Sequence, residues 1–416
     1  MKWIESTIGD VCDAGGGEVK TGPFGSQLHQ SDYSTVGTPV VMPKDIIEGD
    51  VSDLSIARVG PDHVDRLSKH KLNEGDIVYG RRGDIGRQAL ITKKTEGWLC
   101  GTGCLRVTIG KPAPVIPSFL HLYLRQNDVI SWIANQAVGA TMPNLNTSIL
   151  RSVPVRFPES KAHQEKLADI VCSYDALIEN NNRRIAILEE MAQSLYREWF
   201  VKFRFPGHEQ SQMVESPLGL IPEGWDIKAF TDLASFMNGF AFKASHFSDD
   251  GLAVVKIPEL RNGPTTKTPY CLKNTVPEKY LIQNGDLIFS WSGSFVIKEW
   301  TFGDALLNQH LFKVTPIEQD NKRFIEISLQ AALPRMLNQS VGATMKHIRR
   351  STLTETKTIV PPIDLLSIFN EQVNSLINLA VNLEKKNQNL KKQRDLLLPK
   401  LISGQINLSQ AEQAKA

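Results

Sequence analysis

Two stretches decide how this 416-residue chain is read: AVGATM at residues 137–142 and SVGATM at residues 340–345. Five identical residues recurring about half a chain apart suggest a duplicated domain, a reading that needs support from the flanking sequence. That support exists. EGDIVYGRRGDIG (residues 74–86) has a counterpart in NGDLIFSWSGSFV (residues 284–296). Both read Gly-Asp, then β-prone residues, then a polar loop bearing glycine. Farther upstream, MKWIESTIGDV (residues 1–11) resembles EGWDIKAFTDL (residues 223–233), which matches Trp3 with Trp225. The elements keep one order in both halves while the spacing between them differs, as expected of a shared framework with variable loops.

A different kind of segment follows each copy. From Lys161 to Phe200 there is no Gly or Pro, and apolar residues fall at Leu167, Ile170, Tyr174, Leu177, Ile185, Leu188, Ala192, Leu195 and Trp199. Steps of three and four predict one face of a long helix. After Pro361-Pro362 the pattern is Phe369, Val373, Leu376, Ala380, Leu383, Asn387, Leu390, Arg394, Leu397, Leu401, a heptad repeat with polar interruptions. Each helix of about 38 residues would be roughly 57 Å long. Pro399 should kink or end the second helix, and Gly404 should close it. Exposed seams of that length favour pairing, and the alternation of globular copy and helix makes the pairing antiparallel. Asn181 and Asn387 would sit near mid-helix, either fixing register or simply solvated. FPGHEQSQMVESPLGLIPEGW (residues 205–225) reads as a linker.

Composition limits the function classes. Lys plus Arg number 47 against 45 Asp plus Glu, a net charge of +2, so a nucleic-acid surface must come from local clustering. No run approaches a membrane span and the start lacks the apolar stretch of a signal peptide, so a cytoplasmic protein is expected. Five scattered cysteines (Cys12, Cys100, Cys104, Cys172, Cys271) fit reduced thiols, and Cys100-x3-Cys104 lacks further ligands for a metal. There is no adenine-methyltransferase [ND]-P-P-[YFW] tetrapeptide, no phosphate-binding G-x-x-x-x-G-K-[ST] loop and no HExxH. PESK (residues 158–161) falls where a helix should begin, and DAGGG (residues 13–17) reads as a turn. The chain is not expected to be an enzyme on its own.

TGPFGSQLHQSDY (residues 21–33), the Gly-Asp units, the VGATM elements and the helices ending in SLYREWF and LLLPKLISGQI resemble the specificity subunit of a type I restriction–modification enzyme. The resemblance covers nearly the whole chain. The second copy has no GPFGS; FMNGFAFKASHF (residues 236–247) stands in its place. The resemblance implies an α+β protein: two α/β target-recognition domains separated by two long antiparallel coiled-coil helices, with a pseudo-twofold internal repeat. Its expected divisions are 1–158 for the first recognition domain, 159–205 for the central helix, 206–224 for the linker, 225–362 for the second domain, 363–405 for the C-terminal helix, and 406–416 for a tail. It further implies recognition of a bipartite double-stranded DNA target, with the helices setting the gap. No cofactor is expected in this chain. Methyltransferase (modification) subunits, two in number, and restriction/translocase subunits would be the partners, supplying the chemistry of S-adenosylmethionine, ATP and Mg. A recognition subunit of another two-component system and a coiled-coil scaffold without DNA are the alternatives.

Candidate DNA contacts follow from loop chemistry, because arginine forks suit guanine edges and phosphates while lysines suit phosphates. In the first copy they are Lys20, Thr21, Phe24, Ser26 and Gln27 around GPFGS, then Arg81, Arg82, Arg87, Lys93 and Lys94, then Asn144 and Asn146. Phe24 would be a wedge or a buried anchor, and at least one of the two asparagines would cap a helix. In the second copy they are Lys243, Trp291, Ser292, Ser294, Lys298, Lys346, His347, Arg349 and Arg350. Trp291 is either a DNA contact or a core residue. The aromatic run WFVKFRF (residues 199–205) is either a partner-docking surface or packing at a helix end.

Overall fold

The computed structural model describes residues 2–83, 85–137, 144–338 and 347–406. Both VGATM stretches, and Lys346, lie largely or wholly outside these residues. The chain divides into two compact units: residues 1–178 with 390–416, and residues 179–389. Neither follows the linear division expected from sequence, because each long helix contributes one part to each unit.

Each unit contains the same antiparallel four-stranded sheet. In the first its order is Glu18–Thr21, Cys104–Thr108, Ile77–Gly80, Gln88–Leu90; in the second it is Ala234–Asn238, Leu311–Pro316, Leu287–Ser290, Ile297–Glu299. The apolar run after each Gly-Asp is explained by burial on both faces of this sheet. Ile77 and Tyr79 enter one core with Leu105, Val107 and Phe119, while Val78 enters another with Ala89 and Cys104. Leu287 and Phe289 likewise face away from Ile288 into a separate core. The Gly-Asp pair itself is turn chemistry. Gly75 and Gly285 take φ +91° and +97°, and Asp76 and Asp286 each accept a backbone N–H three residues back at 2.8 Å.

A two-stranded ribbon closes each domain: Trp3–Thr7 with Pro154–Pro158, and Asp226–Ala229 with Lys357–Val360. Its register pairs Trp3 with Pro158 and Asp226 with Val360, which puts Trp3 and Trp225 at matching places. A second small sheet repeats too, with Thr38–Val41 parallel to Leu99–Cys100 and Leu252–Val255 parallel to Ala305–Leu307. The expected linker contains a hairpin, Met213–Ser216 with Gly219–Pro222.

The long helices run Lys161–Tyr196, continued by a π-helical turn over Arg197–Val201, and Ile363–Ile402. Within the first unit, Leu167, Ala168 and Val171 share a core with Leu398, Leu401 and Ile402, and Arg394 reaches Asp175 at 2.5 Å. Burial pushes the Asp175 carboxyl up, but Arg125 and Arg394 more than offset it and hold the group below its ordinary value. Within the second unit, Phe200 packs against Phe369 (centroids 4.6 Å apart), and Asn181 Nδ2 donates to Asn387 Oδ1 at 2.8 Å. Rising numbers on one helix meet falling numbers on the other, so in each unit the helices are antiparallel. The first seam needs one correction. Leu177 is 51% exposed and Ile178 6%, so the seam passes through Val171, Ile178 and Asn181, a one-residue change of phase. Pro399 lies inside the last turn, and the helix ends just beyond it, before Gly404 at φ +75°.

Trp199, Phe200 and Phe205 are buried in the second unit's core, against Trp225, Phe324 and Phe369. The aromatic run is therefore packing. DAGGG closes the helix Ile8–Gly15, with Gly16 left-handed at φ +68°. Among the described residues no helix is long and apolar enough to cross a membrane, and no group of three His, Cys, Asp or Glu could hold a metal.

Candidate nucleic-acid interface

Alternating strand direction gathers four segments at one end of each four-stranded sheet. In the first unit these are the loop after Glu18–Thr21, the turn Gly101–Gly103 before Cys104, the loop from Arg81 to Arg87, and the segment Asn144–Asn146. Gly22 N–H donates to the Cys104 carbonyl (2.9 Å), Arg81 N–H to the Gly103 carbonyl (2.8 Å), and Leu145 N–H to the Arg81 carbonyl (2.9 Å). An isolated bridge pairs Arg82 with Asn144.

The second unit repeats this construction. Gly239 N–H donates to the Leu311 carbonyl (3.0 Å), Trp291 N–H to the His310 carbonyl (3.3 Å), and Ile348 N–H to the Trp291 carbonyl (2.9 Å). Ser292 bridges His347 as Arg82 bridges Asn144. Gly22 thus corresponds to Gly239, Arg81 to Trp291, Arg82 to Ser292, and Asn144 to His347. The close approach explains the glycines: a Cβ on Gly22 would stand 2.1 Å from the Gly101 carbonyl oxygen, and one on Gly239 2.3 Å from that of Asn308.

Side chains at these places differ between the units. In the first, Arg82 is exposed, and Arg81 is half-buried with its Nε donating to Asn144 Oδ1 at 3.2 Å. Asn146 caps the helix Thr147–Arg151 by accepting the Ile149 N–H at 2.8 Å, so of the two asparagines it is the one with a capping role. Phe24 is 61% exposed and is no buried anchor. Its turn is held by Gln27, whose Oε1 accepts the Phe24 N–H at 3.1 Å. Ser26 is exposed, Thr21 ends its strand, and Lys20 pairs with Glu18 at 3.3 Å.

Four expected contacts are placed elsewhere. Lys93 and Lys94 are exposed but follow the far end of Gln88–Leu90, at the opposite end of the sheet from Arg82. Arg87 begins at the loop end, yet lines a hollow with Ile46, Arg125, Lys391 and Arg394 on the helix side. Lys298 lies on the edge strand Ile297–Glu299, whose outer side meets the C-terminal helix, and forms an ion pair with Glu384.

In the second unit Trp291 is half-buried among His310, His347 and Phe312, neither fully core nor fully exposed. Ser292 is buried, Ser294 exposed, and the Ser294 carbonyl accepts the Ser290 hydroxyl. Lys243 is exposed, with its N–H held by His246 Nδ1 at 2.8 Å. Arg349 and Arg350 are exposed at the start of the helix Arg350–Glu355. Sequence reasoning missed Thr102 and the pair Gln309-His310 on the turn between these loops. Aligning GTG (residues 101–103) with NQH (residues 308–310) inside the repeat would have found them.

The sequence model of the type I restriction modification DNA specificity domain matches residues 1–190 and 222–393. The MjaIX specificity subunit of a type I restriction enzyme from Methanocaldococcus jannaschii is 24% identical, covering 98% of this chain and 94% of its own. The HindI specificity subunit from Haemophilus influenzae is 23% identical over 82% of this chain and 88% of its own. The crystal structure of a type I restriction–modification system S subunit from M. genitalium is similar in fold, with a TM-score of 0.52, 14% identity and 96% coverage of both chains.

Proposed function

The chain belongs to the type I restriction–modification DNA specificity family, and we propose that each of its loop faces reads one half of a bipartite duplex target. One observation carries this reading: the same four-segment face is built twice, on matched hydrogen bonds, from different side chains. A common scaffold with divergent tips suits two modules that recognise different sequences. On the first face Arg81 and Arg82 supply forks for guanine edges or phosphates, Asn144 steadies Arg81, and Phe24 is an apolar tip for a groove. On the second face Trp291, Ser292 and His347 occupy the matching places, flanked by Lys243, Arg349 and Arg350. Lys298, already paired with Glu384, belongs to the packing between sheet and helix.

The long helices act as the spacer between half-sites, with Asn181 and Asn387 fixing their register. The chain is non-catalytic and holds no cofactor of its own. Methyl transfer with S-adenosylmethionine, and ATP- and Mg-dependent cleavage, belong to two modification subunits and the restriction subunits, in the cytoplasm. Exposed apolar residues on the long helices support docking of such partners. Ile187 and Met191, about one turn apart on the first long helix, and Leu379 on the second are exposed in the second unit. Large exposed apolar residues gathered on a helix face mark interaction surfaces. The test exchanges residues 81–87 for the corresponding loop of a relative and sequences the methylated sites in a host that carries the modification subunit. One half of the motif should change and the other stay; a change in both halves would reject the two-module reading.

A further inference from the structure

The second face has a clamped turn with no counterpart in side-chain chemistry on the first. Gln309 N–H donates to the Phe240 carbonyl at 2.9 Å, and the Gln309 carbonyl accepts the Trp291 indole N–H at 3.1 Å. The backbone is therefore held from both neighbouring loops. The Trp291 ring lies 5.5 Å from that of His310 and 5.8 Å from that of His347. Ser292 Oγ sits 3.2 Å from His310 Nδ1, which orients the imidazole and leaves Nε2 beside the Gln309 amide at 3.4 Å. Both Gln309 and His310 are exposed. In the first unit the same turn is Gly101-Thr102-Gly103, which offers no comparable reach.

We infer that Gln309 and His310 are specificity-determining residues for the second half-site, reading the major-groove edge of an adenine, with Trp291 as a positioning residue. The inference rests on the reading that these faces meet DNA. A glutamine amide presents one donor and one acceptor, which match the N7 and N6 of adenine, and no other base offers that pair in the major groove. A rigid backbone beneath an exposed amide lowers the ordering cost of that contact. His310 Nε2 steadies the amide or reaches the adjoining base or phosphate.

The test uses the full chain with its modification subunit in a host whose methylated sites are sequenced. Gln309→Ala should relax one adenine position in one half of the motif, lowering discrimination there by about tenfold or more. Gln309→Glu should redirect that position toward cytosine, whose N4 amino group donates to a carboxylate. Trp291→Phe, which keeps a ring but loses the indole donor, should relax the same position to a smaller extent. Arg82→Ala runs in parallel and should affect only the other half. An unchanged motif in both Gln309 variants, with Arg82→Ala still relaxing its half, overturns this inference alone. If neither Gln309 nor Arg82 substitutions alter the motif, the assignment of the loop faces to DNA falls with it.

Discussion

Replacing Asn181 with leucine tests whether a buried amide pair sets the register of the helix seam. Both asparagines are nearly inaccessible, at 6% and 5% exposure. Asn181 Nδ2 donates to Asn387 Oδ1, while Asn387 Nδ2 donates to Asn182 Oδ1, both at 2.8 Å. Asn181→Leu removes the donor that Asn387 Oδ1 accepts from, at a cost of about 1–3 kcal/mol for the buried acceptor. The added apolar burial offsets about 1 kcal/mol of this, so the single variant should lose up to about 2 kcal/mol. Asn387→Leu should behave similarly. The double variant removes both amides and leaves Asn182, which is exposed, to water. Its stability should equal or exceed that of the parent, giving a coupling of at least about 1 kcal/mol. The assay is a double-mutant cycle by urea denaturation of the second unit, which contains all three asparagines. Single effects that add to within about 0.3–0.5 kcal/mol would refute the reasoning, because uncoupled sites behave that way. A seam of leucines alone also tolerates alternative registers, so the double variant should modify sites with more than one gap length.

Further expectations follow from the same geometry. Arg82→Ala should relax base discrimination in one half-site by about 1–3 kcal/mol, whereas Lys94→Ala, at the other end of the sheet, should leave the motif and the salt dependence of binding unchanged. A salt slope lowered by about one unit in Lys94→Ala would restore that lysine to the phosphate contacts. Because Asn181 faces Asn387, lengthening the spacer requires paired insertions. Seven residues inserted after Asn181 and seven before Asn387, opposite each other in the antiparallel pair, keep those two amides facing, preserve the heptad phase and add roughly 10 Å, close to three base pairs. Methylation mapping should then find both halves intact and the gap longer, and an unchanged gap in an active variant would exclude the helices as spacer. Burial holds His121 down to about 3, far below its ordinary value near 6.5, with its Nδ1 2.8 Å from Gln88 Oε1. Between those values the unfolded chain binds a proton that the folded one does not. Stability of the first unit should therefore fall as pH drops below about 6.5, by up to about 1.4 kcal/mol per pH unit. Urea denaturation at pH 7 and pH 5 should show a smaller acid loss in His121→Gln, and equal losses would absolve this histidine.

Local chemistry made the scaffold legible. Gly-Asp before an apolar run announces a left-handed turn followed by a strand buried on both faces, and Gly75-Asp76 and Gly285-Asp286 adopt that geometry. Heptad spacing announced two long helices, since side chains three and four apart must share a face. Pairwise, non-local facts were hidden. The seam passes through Ile178 and not Leu177 because the partner helix selects between adjacent apolar residues. Lys298 faces Glu384, 86 residues away in sequence, which no loop pattern announces. The turn at Gln309-His310 joins the second face only because strand Leu311–Pro316 runs between two neighbours whose loops it must meet. Phe24 is the converse case, where sequence offered two roles and its exposure removes the buried anchor.

The central claim is that two unlike faces read two unlike sequences on one duplex. The most direct measurement is methylation-site sequencing of DNA from a host carrying this chain and its modification subunit, against the same host without the chain. One asymmetric motif of two short specified halves around an unspecified gap should appear, and it should be absent when the chain is absent. A contiguous motif, or two identical halves arranged as a palindrome, would contradict it.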